Sequence, residues 1–232
     1  MDDLHDARVP FGLGGRFYGV YPALVADIRD PDGQGRVKVR LPWTADGGDQ
    51  PYEAWARLAT LMAGDRRGAW FVPDVDDEVL IAFAGGDARL PFVVGALWNG
   101  QDAPPLQMDG AGKNAKKLLC SRNGLKITLD DSDGQESVVL ETPGGQTLTL
   151  KDGPSEVEIK DGNGNTIHLE SGGITIQSSG PVTVSAAQLK ISAGVVTVDA
   201  GISKFSGAIK CDTLIANAVV SSSYTPGGGN VW

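Results

Sequence analysis

The chain has 232 residues, a formal net charge of −9 and 32 glycines, the last at about twice the ordinary share of roughly 7%. The acidic balance argues against a phosphate-binding surface, which needs clustered Lys and Arg. No apolar run approaches the roughly 20 residues of a membrane helix, and Met1–Val9 carries acids and histidine where a secretory leader is basic and then apolar. Synthesis in the cytoplasm without a signal peptide is therefore expected. Cys120 and Cys211 lack metal-ligand spacing and read as free, half-buried thiols in a reducing compartment.

Residues 1–15 read as an exposed arm ending in Gly14 and Gly15. A first strand is expected from about Arg16 to Ile28, then a tight reversal over Arg29–Gly35, where Pro31, Gly33 and Gly35 sit as a turn needs them. In the next strand Val37, Val39 and Leu41 alternate with Arg36, Lys38 and Arg40. Further strands are expected over Glu53–Met62, Ala69–Val72, Glu78–Ala84 and Pro91–Trp98. Five or six strands in about 85 residues, with no helical period, predict a small closed barrel or sandwich, the barrel being preferred because it leaves no exposed edges. Residues 101–117, with Pro104 and Pro105, read as a linker.

From Leu125 the pattern changes. Apolar pairs recur at Ile127/Leu129, Val138/Leu140, Leu148/Leu150, Val157/Ile159, Ile167/Leu169, Ile174/Ile176, Val182/Val184, Leu189/Ile191 and Val196/Val198, mostly around one polar residue. Each pair is a short strand with one apolar face, and the Gly, Asp, Asn, Ser and Pro between them close turns. The interval between pairs shortens along the chain, the signature of a narrowing one-dimensional stack. Two inward residues per strand enclose little core in one chain. Three chains winding together pool their strands, so the repeat predicts a homotrimer.

Polar clusters invite chemical readings. Asp74, Asp76, Asp77 and Glu78, and likewise Asp130, Asp131 and Asp133, could be acid pairs or calcium sites, but both fall in turns, where Asp caps backbone. Asp161–Asn165, Asp-Gly-Asn-Gly-Asn, resembles one copy of a calcium-binding glycine repeat, which needs several copies. The histidines, His5 and His168, lie in unrelated segments, so no nucleophilic triad assembles. His168 is expected as a solvated residue between Ile167 and Leu169. Arg36, Lys38 and Arg40, with Arg66 and Arg67, form basic patches that read as solvated or protein-facing surface, because the chain is acidic and lacks the row of exposed aromatics that single-stranded nucleic acid needs. Neither an enzymatic site, a cofactor nor a metal is expected.

The run from Gly15 to Trp43 resembles the opening of the OB-fold domain of the VgrG and phage baseplate-spike family, and residues 68–100 resemble its continuation. Gly68, Phe71, Pro73, Glu78, Val79, Phe83, Gly86, Asp87, Pro91, Val93, Gly95 and Leu97 carry that similarity. The close, from Ser203 to Trp232, is similar to the C-termini of spikes from contractile phage tails and extracellular injection systems. The resemblance implies an all-β chain in which an N-terminal OB-fold barrel (16–100) precedes a C-terminal intertwined trimeric β-helix, or prism (118–207). A tip platform and tail follow (208–232).

The same resemblance implies a non-enzymatic puncturing spike within an injection particle, docked on a baseplate hub protein and capped by a PAAR-type tip protein. Cargo or effector proteins are a further partner class, nucleic acid is not a partner, and the target membrane is met only on puncture. Tyr224, Thr225, Pro226, Gly227, Asn230, Val231 and Trp232 are the expected tip-protein contacts. Ile167, Leu169, Ile174, Ile176, Val182, Val184, Leu189, Ile191, Val196 and Val198 are the expected trimer core. Some relatives hold a tip metal through paired histidines near the C-terminus, which this chain lacks there. With no lysozyme insertion and no large hub region in this sequence, the shorter spike type with a separate hub is expected. The choice among phage tail, extracellular system and type VI secretion stays open. Two other classes also stay open: a polysaccharide-active or carbohydrate-binding β-helix protein, and an OB-fold nucleic-acid binder.

Overall fold

The structure, a computed structural model, describes residues 15–44 and 50–223. Its elements are strands and short 3-10 turns, and it divides at Pro181 into two units. The expected arm (1–15) lies almost wholly outside the described residues. No helix among them is long and apolar enough to cross a membrane.

In the first unit, β1 (Val20–Asp27), β2 (Val37–Leu41), β3 (Tyr52–Leu58), a two-residue hairpin of β4 (Ala63–Gly64) and β5 (Arg67–Gly68), β6 (Glu78–Phe83) and β7 (Pro91–Ala96) follow in turn. Five of them close a barrel in the order β1-β2-β3-β7-β6. All its pairings are antiparallel except β3 with β7, which run parallel. A five-stranded barrel of this kind is the OB architecture. Alternation does the work: Val37, Val39 and Leu41 point inward with Val25, Val79 and Ile81, all fully buried. Phe17, Tyr21, Trp43 and Phe83 stack at one end of this core.

The turns explain the polar residues around the barrel. Asp30 accepts bonds from the Gln34 and Arg36 amides and from the Arg36 guanidinium, which holds its carboxyl well below the usual range. Gly85 and Gly86 both take positive φ, and a β-carbon on Gly86 would press on Arg16 and the Phe17 backbone. That glycine is required where Phe17 N–H reaches the Gly86 carbonyl. Gly95 sits opposite Leu80 at a register shift between β6 and β7. The predicted strand at Ala69–Val72 does not form. The chain there leaves the β4–β5 hairpin and runs to the turn before β6 without a ladder partner.

Beyond the barrel come β8 (Lys116–Cys120), β9 (Lys126–Asp130), β10 (Ser137–Glu141), β11 (Thr147–Lys151), β12 (Glu156–Lys160), β13 (Thr166–Glu170) and β14 (Gly173–Gln177). They form one seven-stranded antiparallel meander in chain order. Seven strands spaced about 4.7–4.9 Å apart extend roughly 30 Å. Links of two to six residues join neighbours directly, and such short connections permit only antiparallel pairing. Alternate turns also stack. A β-carbon on Gly153 would collide with the Gly134 carbonyl, and one on Gly162 with the Gly144 carbonyl.

In the second unit, residues 182–223 form no helix or strand, and no backbone–backbone hydrogen bond occurs among them.

Two substitutions probe this organisation. Ile81→Ala should lower barrel stability by about 2–5 kcal/mol in urea unfolding followed by tryptophan fluorescence. Gly162→Ala should lower the thermal midpoint of the meander while leaving the barrel's own transition in place, read by circular dichroism.

Candidate functional site

The meander brings the repeat's apolar pairs onto a single face. Cross-strand partners link Leu119, Ile127, Leu140, Leu148, Ile159, Ile167 and Ile176 in one row across all seven strands. A second row joins Leu129, Val138, Leu150, Val157, Leu169 and Ile174. The first row floors a trough of about 880 Å³ whose apolar wall also includes Phe71 from the barrel segment. Among the described residues every buried one lies at or before Val93, so no described segment of the first unit covers this face. Ile174 remains 69% exposed.

The opposite face is polar and internally paired. His168 Nε2 lies 3.0 Å from Glu156 Oε1, Lys116 lies 3.5 Å from Asp130, and Lys126 lies 3.9 Å from Glu141. His168 is thus on the outward side, as its place between Ile167 and Leu169 predicts, and it also meets a diagonal carboxylate. Cys120 and Cys211 are free and exposed rather than half-buried. Cys120 is the last residue of the edge strand β8, which has a neighbouring strand on one side only.

The acidic clusters resolve into turn chemistry. Asp77 accepts the Asp74 amide, Asp74 takes the Arg122 guanidinium at 2.9 Å, and Asp76 adopts positive φ in the turn. Asp130 accepts the Ser132 amide and hydroxyl, and Asp131 pairs with Lys117. Asp161 accepts the backbone amides of Asn163 and Asn165 and both their carboxamides. The Asn165 side chain, then these amides, bring the Asp161 carboxyl down to about 2. Asn165 in turn accepts from the Ser178 hydroxyl and the Ser179 amide, tying this turn to the exit of β14. Among the described residues no three His, Cys, Asp or Glu side chains are grouped to hold a metal.

Of the expected core residues, Ile167, Leu169, Ile174 and Ile176 sit together on the uncovered face. Val182, Val184, Leu189, Ile191, Val196 and Val198 fall in the second unit, exposed and without ladder partners. The expected tip contacts from Tyr224 to Trp232 lie outside the described residues. Sequence reasoning missed β8 as part of the sheet, because Leu118 and Leu119 are adjacent rather than alternating. It also missed Phe71, which carries no periodic signal.

A barrel of OB topology followed by a sheet with one bare apolar face matches two known domains. Residues 21–98 match the type VI secretion system/phage-baseplate injector OB domain. Residues 137–203 match the phage baseplate V C-terminal trimerisation domain. The chain belongs to the VgrG and phage-baseplate spike family. The spike-family segment is 25% identical to the type VI secretion system spike protein VgrG1b of Pseudomonas aeruginosa over 52% of this chain and 17% of that protein. It is 31% identical to VgrG4b of the same organism over 47% and 14%. It is 23% identical to the actin cross-linking toxin VgrG1 of Vibrio cholerae over 50% and 12%. The chain therefore spans less than a fifth of the length of these curated relatives. The trimerisation match begins at β10 and runs past Pro181, so it includes most of the bare face and the start of the unpaired repeat.

A carboxyl held low by native contacts favours the native state above its unfolded value of 3.8 and loses that contribution as pH falls toward its folded value of about 2. The Asp161–Asn165 turn should accordingly stay closed at neutral pH and loosen between pH 4 and 2. Backbone NMR shifts of Asn163 and Asn165 should report this, and in Asp161→Ala the same shifts should not titrate over that range.

Proposed function

We propose that this chain is a structural, non-enzymatic subunit of a homotrimeric puncturing spike in a contractile injection system. The single observation that carries the reading is the bare apolar face of a seven-stranded sheet lying within a trimerisation domain. Each Val, Leu or Ile moved from water into a core contributes about 1.5–3 kcal/mol, and three copies turning this face inward bury it without any further segment of chain. The second unit supports the same conclusion. Its apolar pairs at intervals of seven residues need ladder partners, and residues 182–223 offer one another none, so strands from neighbouring copies complete them.

Mechanically, backbone hydrogen bonds run along the stack of strands, and a closed three-sided shaft built this way resists bending. In this proposal the barrel forms the collar that meets a hub protein, and the polar face with its ion pairs is the wet outside of the shaft. Ala208–Val220 makes a trimeric platform at which Ile209, Leu214, Ile215, Val219 and Val220 pack between copies. Tyr224–Trp232 seats a PAAR-type tip protein. The toxin activity named for the Vibrio relative is not assigned to this chain. Its site in the cell is an injection particle assembled from cytoplasmic subunits.

Leu148→Asp combined with Ile167→Asp places charges in the middle of the shared core. The wild-type chain should elute with a trimer's mass in light scattering and this variant with a monomer's. A wild-type monomer would refute the spike. Removal of Ser221–Trp232 should leave the trimer mass unchanged while abolishing capture of the tip protein in a pull-down.

A further inference from the structure

The barrel presents large aromatic side chains that its own core does not use. Trp70 is 76% exposed, Phe71 75% and Trp98 70%. They line one groove between the barrel and β8, together with Leu118 and Leu119. That groove and the trough along the sheet share Phe71, Leu119, Cys120 and Ser121. Phe71 and Leu119 therefore carry the apolar surface of the sheet onto the barrel, where the aromatics stand in a mixed groove rimmed by Asp74, Glu78 and Arg122.

These side chains are exposed but not loosely held. Ala69 N–H bonds the Met62 carbonyl, and the Thr60 hydroxyl bonds the Ala69 carbonyl, which fixes the backbone just ahead of Trp70. The Trp70 ring lies over Gly35, so closely that a β-carbon there would come within 3.1 Å of it. Leu97 N–H bonds the Glu78 carbonyl, and the Asn99 carboxamide bonds the Glu78 carboxylate at 2.9 Å, which brackets Trp98 on both sides. Rigidly presented aromatics lose little entropy on contact, and they are the side chains that anchor protein interfaces. A contiguous exposed apolar patch on a soluble domain marks a contact surface.

We infer that the Trp70–Phe71 segment and Trp98 form a second interface between copies of this chain, which locks the barrels to one another at the top of the shaft. The inference rests on the trimer proposed above. The occupant is a second copy because the patch is continuous with the face carrying the trimerisation match. When three sheets turn that face toward a common axis, the wall formed by Phe71 turns with it. A foreign partner would have to reach a surface whose other half is already enclosed. The consequence is mechanical: load arriving at the collar passes to the shaft through three barrels held together, rather than through three independent linkers at residues 101–115.

Hydroxyl-radical footprinting of the full-length protein, read residue by residue by mass spectrometry, tests this. After correction for intrinsic reactivity, Trp70, Phe71 and Trp98 should be oxidised several-fold more slowly than Met108, which is 95% exposed. If the particle has a trimer's mass and Ile159 and Ile176 are protected, yet these three aromatics react at the Met108 rate, the second interface is refuted while the spike stands. A monomer's mass refutes both. A second measurement uses Phe71→Asp with Trp98→Ser, positions whose exposure spares the fold of the single chain. This variant should keep the trimer's mass but dissociate at lower denaturant concentration than wild type, and an unchanged midpoint overturns the inference.

Discussion

A sheet one layer thick cannot hide its apolar face from water. That constraint governs this molecule. From Leu119 to Ile176 the chain lays two rows of aliphatic side chains side by side, and no described residue of the first unit covers them. Backbone pairing is satisfied inside the meander, so the folding of residues 116–177 into strands does not wait for a partner, but the removal of that face from water does. Assembly is therefore the final step in burying the core, and it can be blocked by a single charge in the middle of either row.

The two halves of the first unit meet the same hydrophobic demand in opposite ways. The barrel curls its strands until the first and last meet, so Val25, Val39 and Ile81 are sealed by their own chain. The meander stays open because turns of a few residues let it extend along one direction without curling back. Gly153 and Gly162 allow alternate turns to nest against one another along its sides, on the carbonyls of Gly134 and Gly144, where a β-carbon would push them apart. Past Pro181 the described residues form no backbone ladder with one another, and in the proposed trimer both kinds of demand pass to neighbouring copies. The dependence on other copies thus deepens along the chain, from none in the barrel core, to side chains only in the meander, to side chains and backbone in the last unit.

The polar residues follow from this architecture. Aspartates that could have been read as acid pairs or cation ligands are committed to turn amides and to Arg or Lys partners. Asp30 with Arg36, Asp161 with Asn165 and Asp74 with Arg122 each fix a reversal or pin one segment to another. Their carboxylates serve geometry, and the charged pairs on the polar face of the meander keep that face hydrated. The exposed aromatics are the exception to this economy, since neither barrel packing nor turn chemistry requires Trp70, Phe71 or Trp98 where they stand.

The period-two alternation of Val37, Val39 and Leu41, and the pairs from Ile127 to Ile176, were enough to predict strands and the faces they show, because side-chain direction in a strand depends only on parity. Turn residues marked most of the reversals for the same local reason. Parity could not reveal that residues 116–177 pair antiparallel within one chain, while those after Pro181 do not pair with themselves. Ladder partners are chosen by what is nearby in space, and the two stretches carry the same pattern. Nor could it find Leu119 and Phe71, which join the bare face only because β8 docks on β9 and the barrel brings an irregular segment beside it. The sequence by itself determined most of the strands before Pro181, their apolar faces and the kind of protein. Only the tertiary structure decided which face is left for another copy to cover, because covering is a property of packing and not of pattern.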